Sequence, residues 1–131
     1  AGVIGLEMGS VRRRLGAEVT VLEALPVFLS AADEQVAPAA WTLFATTGLS
    51  IRLGCAIGKI TTTKNVGVEY TDTDGKAQSA TFDRLIVLIG RVPHTAGLNA
   101  ESVGLTLDER GFVAVNPDHQ RRKIALVLNH D

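Results

Sequence analysis

The chain has 131 residues, 46% of them hydrophobic, with a formal net charge of -1, which is enough for one globular domain with a moderate core. The near-neutral balance offers no general attraction to nucleic acid or an acidic membrane, and no apolar run approaches the roughly 20 residues of a membrane-spanning helix. A single cysteine, Cys55, excludes an internal disulfide and suits a reducing compartment, so a cytoplasmic location is expected.

Gly2-Val3-Ile4-Gly5 reads as the last two glycines of the dinucleotide fingerprint G-x-G-x-x-G, whose first glycine and preceding strand are expected upstream of residue 1. Ile4, Met8, Val11 and Leu15 then recur at helical spacing, Gly16 is placed to close the helix, and Gly9 and Ser10 keep it thin enough to lie close on a sheet. Residues 18–22 form a short β-branched run that reads as a strand, with Glu23 at its carboxyl end. Glu23 falls about 20 positions beyond the glycines, where the fingerprint carries the acid that accepts hydrogen bonds from the adenosine ribose. A carboxylate there repels a 2′-phosphate, so the spacing predicts NAD(H) rather than NADP(H). Read without that ligand, Glu23 is a solvated charge opening a loop.

Pro26 stops the strand. A second helix follows, with Val36, Ala40, Leu43 and Thr47 on one face, Trp41 and Phe44 adding bulk, and Gly48 at its end. Pro38 sets its start near Val36 or kinks it there. Residues 51–53 read as a third strand, and residues 56–63, 66–71 and 78–82 as an antiparallel meander turning at Lys64-Asn65 and Asp74-Gly75. Leu85-Ile86-Val87-Leu88-Ile89 is continuously apolar, the pattern of a parallel strand buried on both faces, with Gly90 at its carboxyl end. The fold class is thus α/β: a Rossmann-like parallel sheet lacking its first strand, with an antiparallel three-strand meander. A central strand absent from such a sheet leaves apolar edges exposed, so the chain by itself is expected to be marginally stable or to associate with itself.

Four runs taken together, Gly2-Val3-Ile4-Gly5-Leu6-Glu7-Met8-Gly9-Ser10-Val11, Leu15-Gly16-Ala17-Glu18-Val19-Thr20-Val21-Leu22-Glu23, Gly90-Arg91-Val92-Pro93 and Leu107-Asp108-Glu109-Arg110-Gly111-Phe112, resemble the dihydrolipoamide dehydrogenases of the pyridine nucleotide disulfide oxidoreductase family over roughly residues 1–118. The resemblance implies a homodimeric flavoprotein, serving a 2-oxo acid dehydrogenase or glycine cleavage complex, that passes electrons from protein-bound dihydrolipoamide through a disulfide and FAD to NAD⁺. It implies a cytoplasmic parent, or one in the mitochondrial matrix of a eukaryote. It divides the chain into an NAD-binding domain, residues 1–90, and a segment returning towards the FAD domain, residues 91–131, which diverges from the family pattern after about 118.

By motif, the resemblance assigns Gly2, Val3, Ile4 and Gly5 to the pyrophosphate, Glu7 to the side of the nicotinamide, Glu23 to the adenosine ribose and Ile57 to adenine. It also assigns Gly90 and Arg91 to the nicotinamide end. Local chemistry fits Glu7 equally well as an acid at a helix N-terminus, and Arg91 as a surface arginine. The family's cysteine pair and its His-Glu base have no counterpart here, so no catalytic residue is assigned and the chain alone is expected to be inactive. FAD is expected to bind the parent and not this chain, since only Asp131, after a one-residue deletion, approaches the family's flavin-binding aspartate. Two alternatives remain: another flavoprotein disulfide reductase, or a non-catalytic nucleotide-binding or structural module. Arg12-Arg13-Arg14 and Arg121-Arg122-Lys123 read as solvated surface, Cys55 as a buried inert thiol, Trp41 as packing, and His94, His119 and His130 as too scattered for a metal.

Overall fold

A computed structural model describes residues 2–115. Helix α1 spans Val3–Arg14, strand β1 Thr20–Leu22, helix α2 Val36–Thr46 and strand β2 Ser50–Arg52. Strands β3 (Ala56–Thr62), β4 (Val66–Thr71) and β5 (Ala77–Phe82) follow, then a short 3-10 turn at Ala100–Val103. β1 and β2 pair in parallel with Val21 opposite Ile51, and β3, β4 and β5 form a separate antiparallel sheet in that order. The architecture is the expected α/β combination of a parallel sheet and an antiparallel meander. The described residues form two compact units, one up to Ile89 and one beginning at Gly90.

Each helix begins and ends where backbone chemistry dictates. Gly2 caps α1 in an extended conformation, and beyond Leu15 the left-handed Gly16 lets the N–H groups of Gly16 and Ala17 bond back to Arg13 and Arg12. Pro38 is the third residue of α2, inside the first turn, where no intrahelical N–H bond is lost, so the helix starts at Val36. Two small cores result: Leu6, Phe28 and Leu49 between α1, α2 and the parallel pair, and Cys55, Val68 and Tyr70 at the meander. Trp41 packs edge-on against Phe28 with ring centroids 5.1 Å apart.

The faces differ from those the spacing marked. α1 buries Leu6 and Gly9, while Ile4, Met8, Val11 and Leu15 are exposed. In α2, Ala37, Ala40 and Phe44 pack on the core, whereas Val36 and Leu43 are 55% and 63% exposed. α2 is apolar around most of its circumference, and in α1 apolar and polar residues are interspersed around the axis, so spacing alone does not single out one stripe. Arg12, Arg13 and Arg14 do not share an outer face either. Successive helical residues point about 100° apart, and Arg13 is partly buried, with its guanidinium donating to the Ala17 carbonyl at 3.3 Å.

The largest departure is the run 85–89, which is not a strand. Its residues are 40–95% exposed and make no ladder pairing among the described residues. Apolar composition alone does not make a strand, because the backbone N–H and C=O groups need a hydrogen-bonding neighbour. Arg121, Arg122, Lys123, His119, His130 and Asp131 lie outside the described residues.

Candidate dinucleotide site

The first intrahelical bond of α1 runs from the Leu6 N–H to the Gly2 carbonyl. The N–H groups of Val3, Ile4 and Gly5 precede that ladder and form the positive end of the helix dipole. Among the described residues no side chain caps this end, and the first turn carries no acidic residue. Glu7 therefore sits beyond the first turn, and it is exposed. Its expected alternative role, an acid on the helix's first turn, does not hold.

Gly2 and Gly5 are open: a Cβ built at either would meet nothing within 4 Å. Their backbones need no positive φ, so neither conformation nor packing among the described residues calls for glycine at these positions. Gly9 differs, since its Cβ would lie 3.2 Å from Leu49 Cδ1 and 3.6 Å from Val19 Cγ1. That close approach is the thin helix–sheet contact expected from the sequence.

Glu23 directly follows β1 and continues the parallel ladder, its N–H donating to Arg52 and its carbonyl accepting from Cys55, each at 2.9 Å. Its carboxylate Oε1 accepts the Leu25 N–H at 2.9 Å. Desolvation raises the carboxyl pKa, hydrogen bonds from the Leu25 and Ala24 backbone lower it, and the balance lies below the ordinary value. Glu23 is therefore an anion at neutral pH.

Gly2, Gly5, Glu23 and Ile57 line one cleft of about 410 Å³. Ile57, on β3 opposite Tyr70, is 46% exposed. The backbone amides at the start of α1, the carboxylate after β1 and an apolar side chain of the meander thus face a common space, while Glu7 lies outside its lining. Gly90 and Arg91 belong to the second unit. Gly90 has φ 143°, a backbone that favours glycine, and Arg91 is exposed. Sequence reading missed Arg12, Met8 and Arg84 on the cleft wall. The helical offset of Arg12 from Met8 was the available signal.

Cys55 is 2% exposed, its Sγ lies 3.7 Å from the Arg52 and Leu53 carbonyls, and burial pushes its pKa up. Among the described residues no group of three or more His, Cys, Asp or Glu side chains could hold a metal ion, and no helix is long and apolar enough to cross a membrane.

The model of the pyridine nucleotide-disulphide oxidoreductase family matches residues 1–125. A dihydrolipoyl dehydrogenase of Cupriavidus necator is 57% identical over 95% of this chain and 26% of its own length. Dihydrolipoyl dehydrogenase 3 of Pseudomonas putida is 43% identical over 87% of the chain and 25% of its own length. Among solved structures, the HOCl-induced flavoprotein disulfide reductase RclA of Escherichia coli matches with a TM-score of 0.68 and 31% identity, covering 86% of this chain and 25% of that one. LpdA of Mycobacterium tuberculosis matches at the same TM-score with 30% identity, covering 88% and 25%. The chain spans about a quarter of the length of these relatives.

Proposed function

Since this chain belongs to the pyridine nucleotide-disulphide oxidoreductase family, we propose that it is the NAD(H)-binding part of a dihydrolipoamide dehydrogenase, a flavoenzyme that transfers a hydride between FAD and NAD and reoxidises protein-bound dihydrolipoamide. The observation that carries the reading is the emptiness around Gly2 and Gly5, beside amides that precede the helical ladder. Glycine there serves the close approach of something outside the chain, and the dipole selects an anion such as pyrophosphate.

The residues fit the rest of the dinucleotide. The Val3, Ile4 and Gly5 amides donate to phosphate oxygens, Glu23 accepts from the ribose hydroxyls and repels a 2′-phosphate, and Ile57 offers an apolar surface to adenine. Bound NAD supplies the hydride acceptor. Glu7, Gly90 and Arg91 take their roles at the nicotinamide end from the family resemblance.

In this reading the parent is a cytoplasmic homodimer, or one of the mitochondrial matrix, that binds FAD through residues outside this chain. It serves a 2-oxo acid dehydrogenase or glycine cleavage complex. The 57% identity to a dihydrolipoyl dehydrogenase favours this over another flavoprotein disulfide reductase, the class of the 31% identical RclA.

Calorimetric titration of NADH and NADPH into the chain and its Glu23→Ala variant tests the reading. NADH is expected to bind on the order of tenfold or more tightly than NADPH, with the preference lost in the variant. Equal binding of both cofactors to the unaltered chain would overturn the ribose assignment, and no binding of either would favour a structural module.

A further inference from the structure

The two side chains that would meet adenosine, Glu23 after β1 and Ile57 on β3, belong to different sheets. The segment from Arg52 to Ile57 crosses between those sheets, and its backbone holds Glu23 on both sides: the Glu23 N–H donates to the Arg52 carbonyl and the Cys55 N–H donates to the Glu23 carbonyl, each at 2.9 Å. The Arg52 side chain reaches the meander, where its Nη1 donates to the Tyr70 hydroxyl and its guanidinium carbon lies 5.9 Å from the centre of the ring. Tyr70 is 5% exposed, packs with Cys55 and Val68, and is the ladder partner of Ile57. A closed circuit of contacts thus runs from Glu23 through Arg52 and Tyr70 to Ile57, and back through Cys55. Arg52 itself lies outside the cleft lining.

We propose that Arg52 is a positioning residue for adenosine: by tying Tyr70 to the strand end that holds Glu23, it fixes the separation between the ribose acceptor and the adenine surface. The proposal rests on the dinucleotide reading. An exposed arginine at a strand end ordinarily keeps its rotamer freedom, but here a phenolic oxygen at the edge of an apolar cluster takes one of its donors. Two half-sites held in register by such a contact bind a ligand without first losing the entropy of their relative motion. Satisfying the Tyr70 hydroxyl would by itself be a structural role. Tyr70→Phe separates the two, because it removes the group that needs a partner and leaves no polar atom of that ring unpaired, yet it breaks the tie.

Calorimetric titration of AMP, inorganic pyrophosphate and NADH into the chain and its variants tests the proposal. AMP affinity is expected to fall on the order of fivefold in Arg52→Met and in Tyr70→Phe, and no further when both are combined, since the two act through one contact. Arg52→Lys keeps a charged donor and is expected to recover part of the loss. Pyrophosphate, which would meet the amides at the start of α1, is expected to bind every variant alike. Undiminished AMP affinity in the single variants, losses that add fully in the double variant, or pyrophosphate affinity falling in step with AMP would overturn the proposal, and the dinucleotide reading would survive any of these while the unaltered chain binds NADH. An unaltered chain that binds neither NADH nor AMP would overturn both. Should Tyr70→Phe fail to fold, Arg52→Met and Arg52→Lys decide, since Arg52 is exposed.

Discussion

A methyl group added at Gly9 would press on Leu49 at 3.2 Å, whereas one added at Gly5 would enter open space. The two glycines of one helix therefore answer to different demands, and substitution separates them. Gly9→Val forces branched bulk between α1 and the Leu49 and Val19 side chains, and is expected to lower unfolding stability by about 1–3 kcal/mol in urea titrations, with residual NADH affinity in the folded fraction. Gly5→Ala adds helix propensity without a clash, so stability is expected to hold or to rise by up to about 1 kcal/mol. NADH affinity is expected to fall in the same protein, as calorimetry would register. A Gly5→Ala chain that binds NADH as well as the original would remove pyrophosphate from the start of α1. Sequence spacing placed both glycines on the helix and Glu23 just after β1. It misplaced Arg13, because a run of three arginines looks uniformly solvated until helical rotation turns one of them inward.

One carboxylate reinforces the hairpin joining β4 and β5, beside backbone bonds from the Asp72 N–H to Lys76 and from the Gly75 N–H to Asp72. Asp72 Oδ1 accepts the backbone N–H groups of Lys76 at 2.9 Å and Asp74 at 3.1 Å, and Oδ2 accepts the Gln78 amide at 2.8 Å. The Lys76 bond and then the Gln78 bond hold the Asp72 carboxyl below its ordinary value. A folded-state pKa depressed in this way contributes stability that is present above the unfolded value and is lost as pH falls through the folded one. Asp72→Ala is therefore expected to lower the melting temperature at neutral pH, with the difference from the unaltered chain shrinking as pH drops below about 3.8. A pH-independent difference would place the contribution in turn geometry and not in the charge. The meander was legible because Asp74-Gly75 and the alternating β4 and β5 residues act through local contacts. The run 85–89 was not, since a strand exists only when a neighbour pairs with it, and that neighbour is not encoded in the run. The helix faces failed for a related reason: Val3, Ile4, Leu6, Met8 and Val11 spread over more than one face of α1, and packing against Leu49 chose Leu6 and Gly9.

Across the whole molecule, the groups that the proposed redox relay needs are unequally represented. Oxidising dihydrolipoamide to its disulfide releases two electrons and two protons, and in the proposed parent these pass first to a protein disulfide, which requires two cysteines. This chain has Cys55 alone. Its thiol is 2% exposed and its pKa is raised by burial, so little of the nucleophilic thiolate forms and an incoming sulfur finds no access. In the proposed reading the amides at the head of α1 and the Glu23 carboxylate bind the nucleotide without any such sulfur, so binding and turnover are expected to separate in one preparation. Calorimetry should register NADH. A spectrophotometric assay with FAD, dihydrolipoamide and NAD⁺ should show no nicotinamide reduction above the protein-free rate, and Cys55→Ser should leave both results unchanged. Turnover that Cys55→Ser abolishes would mean that the buried thiol becomes accessible and cycles with an external partner, and the division between a nucleotide cradle and a sulfur centre elsewhere would then fail.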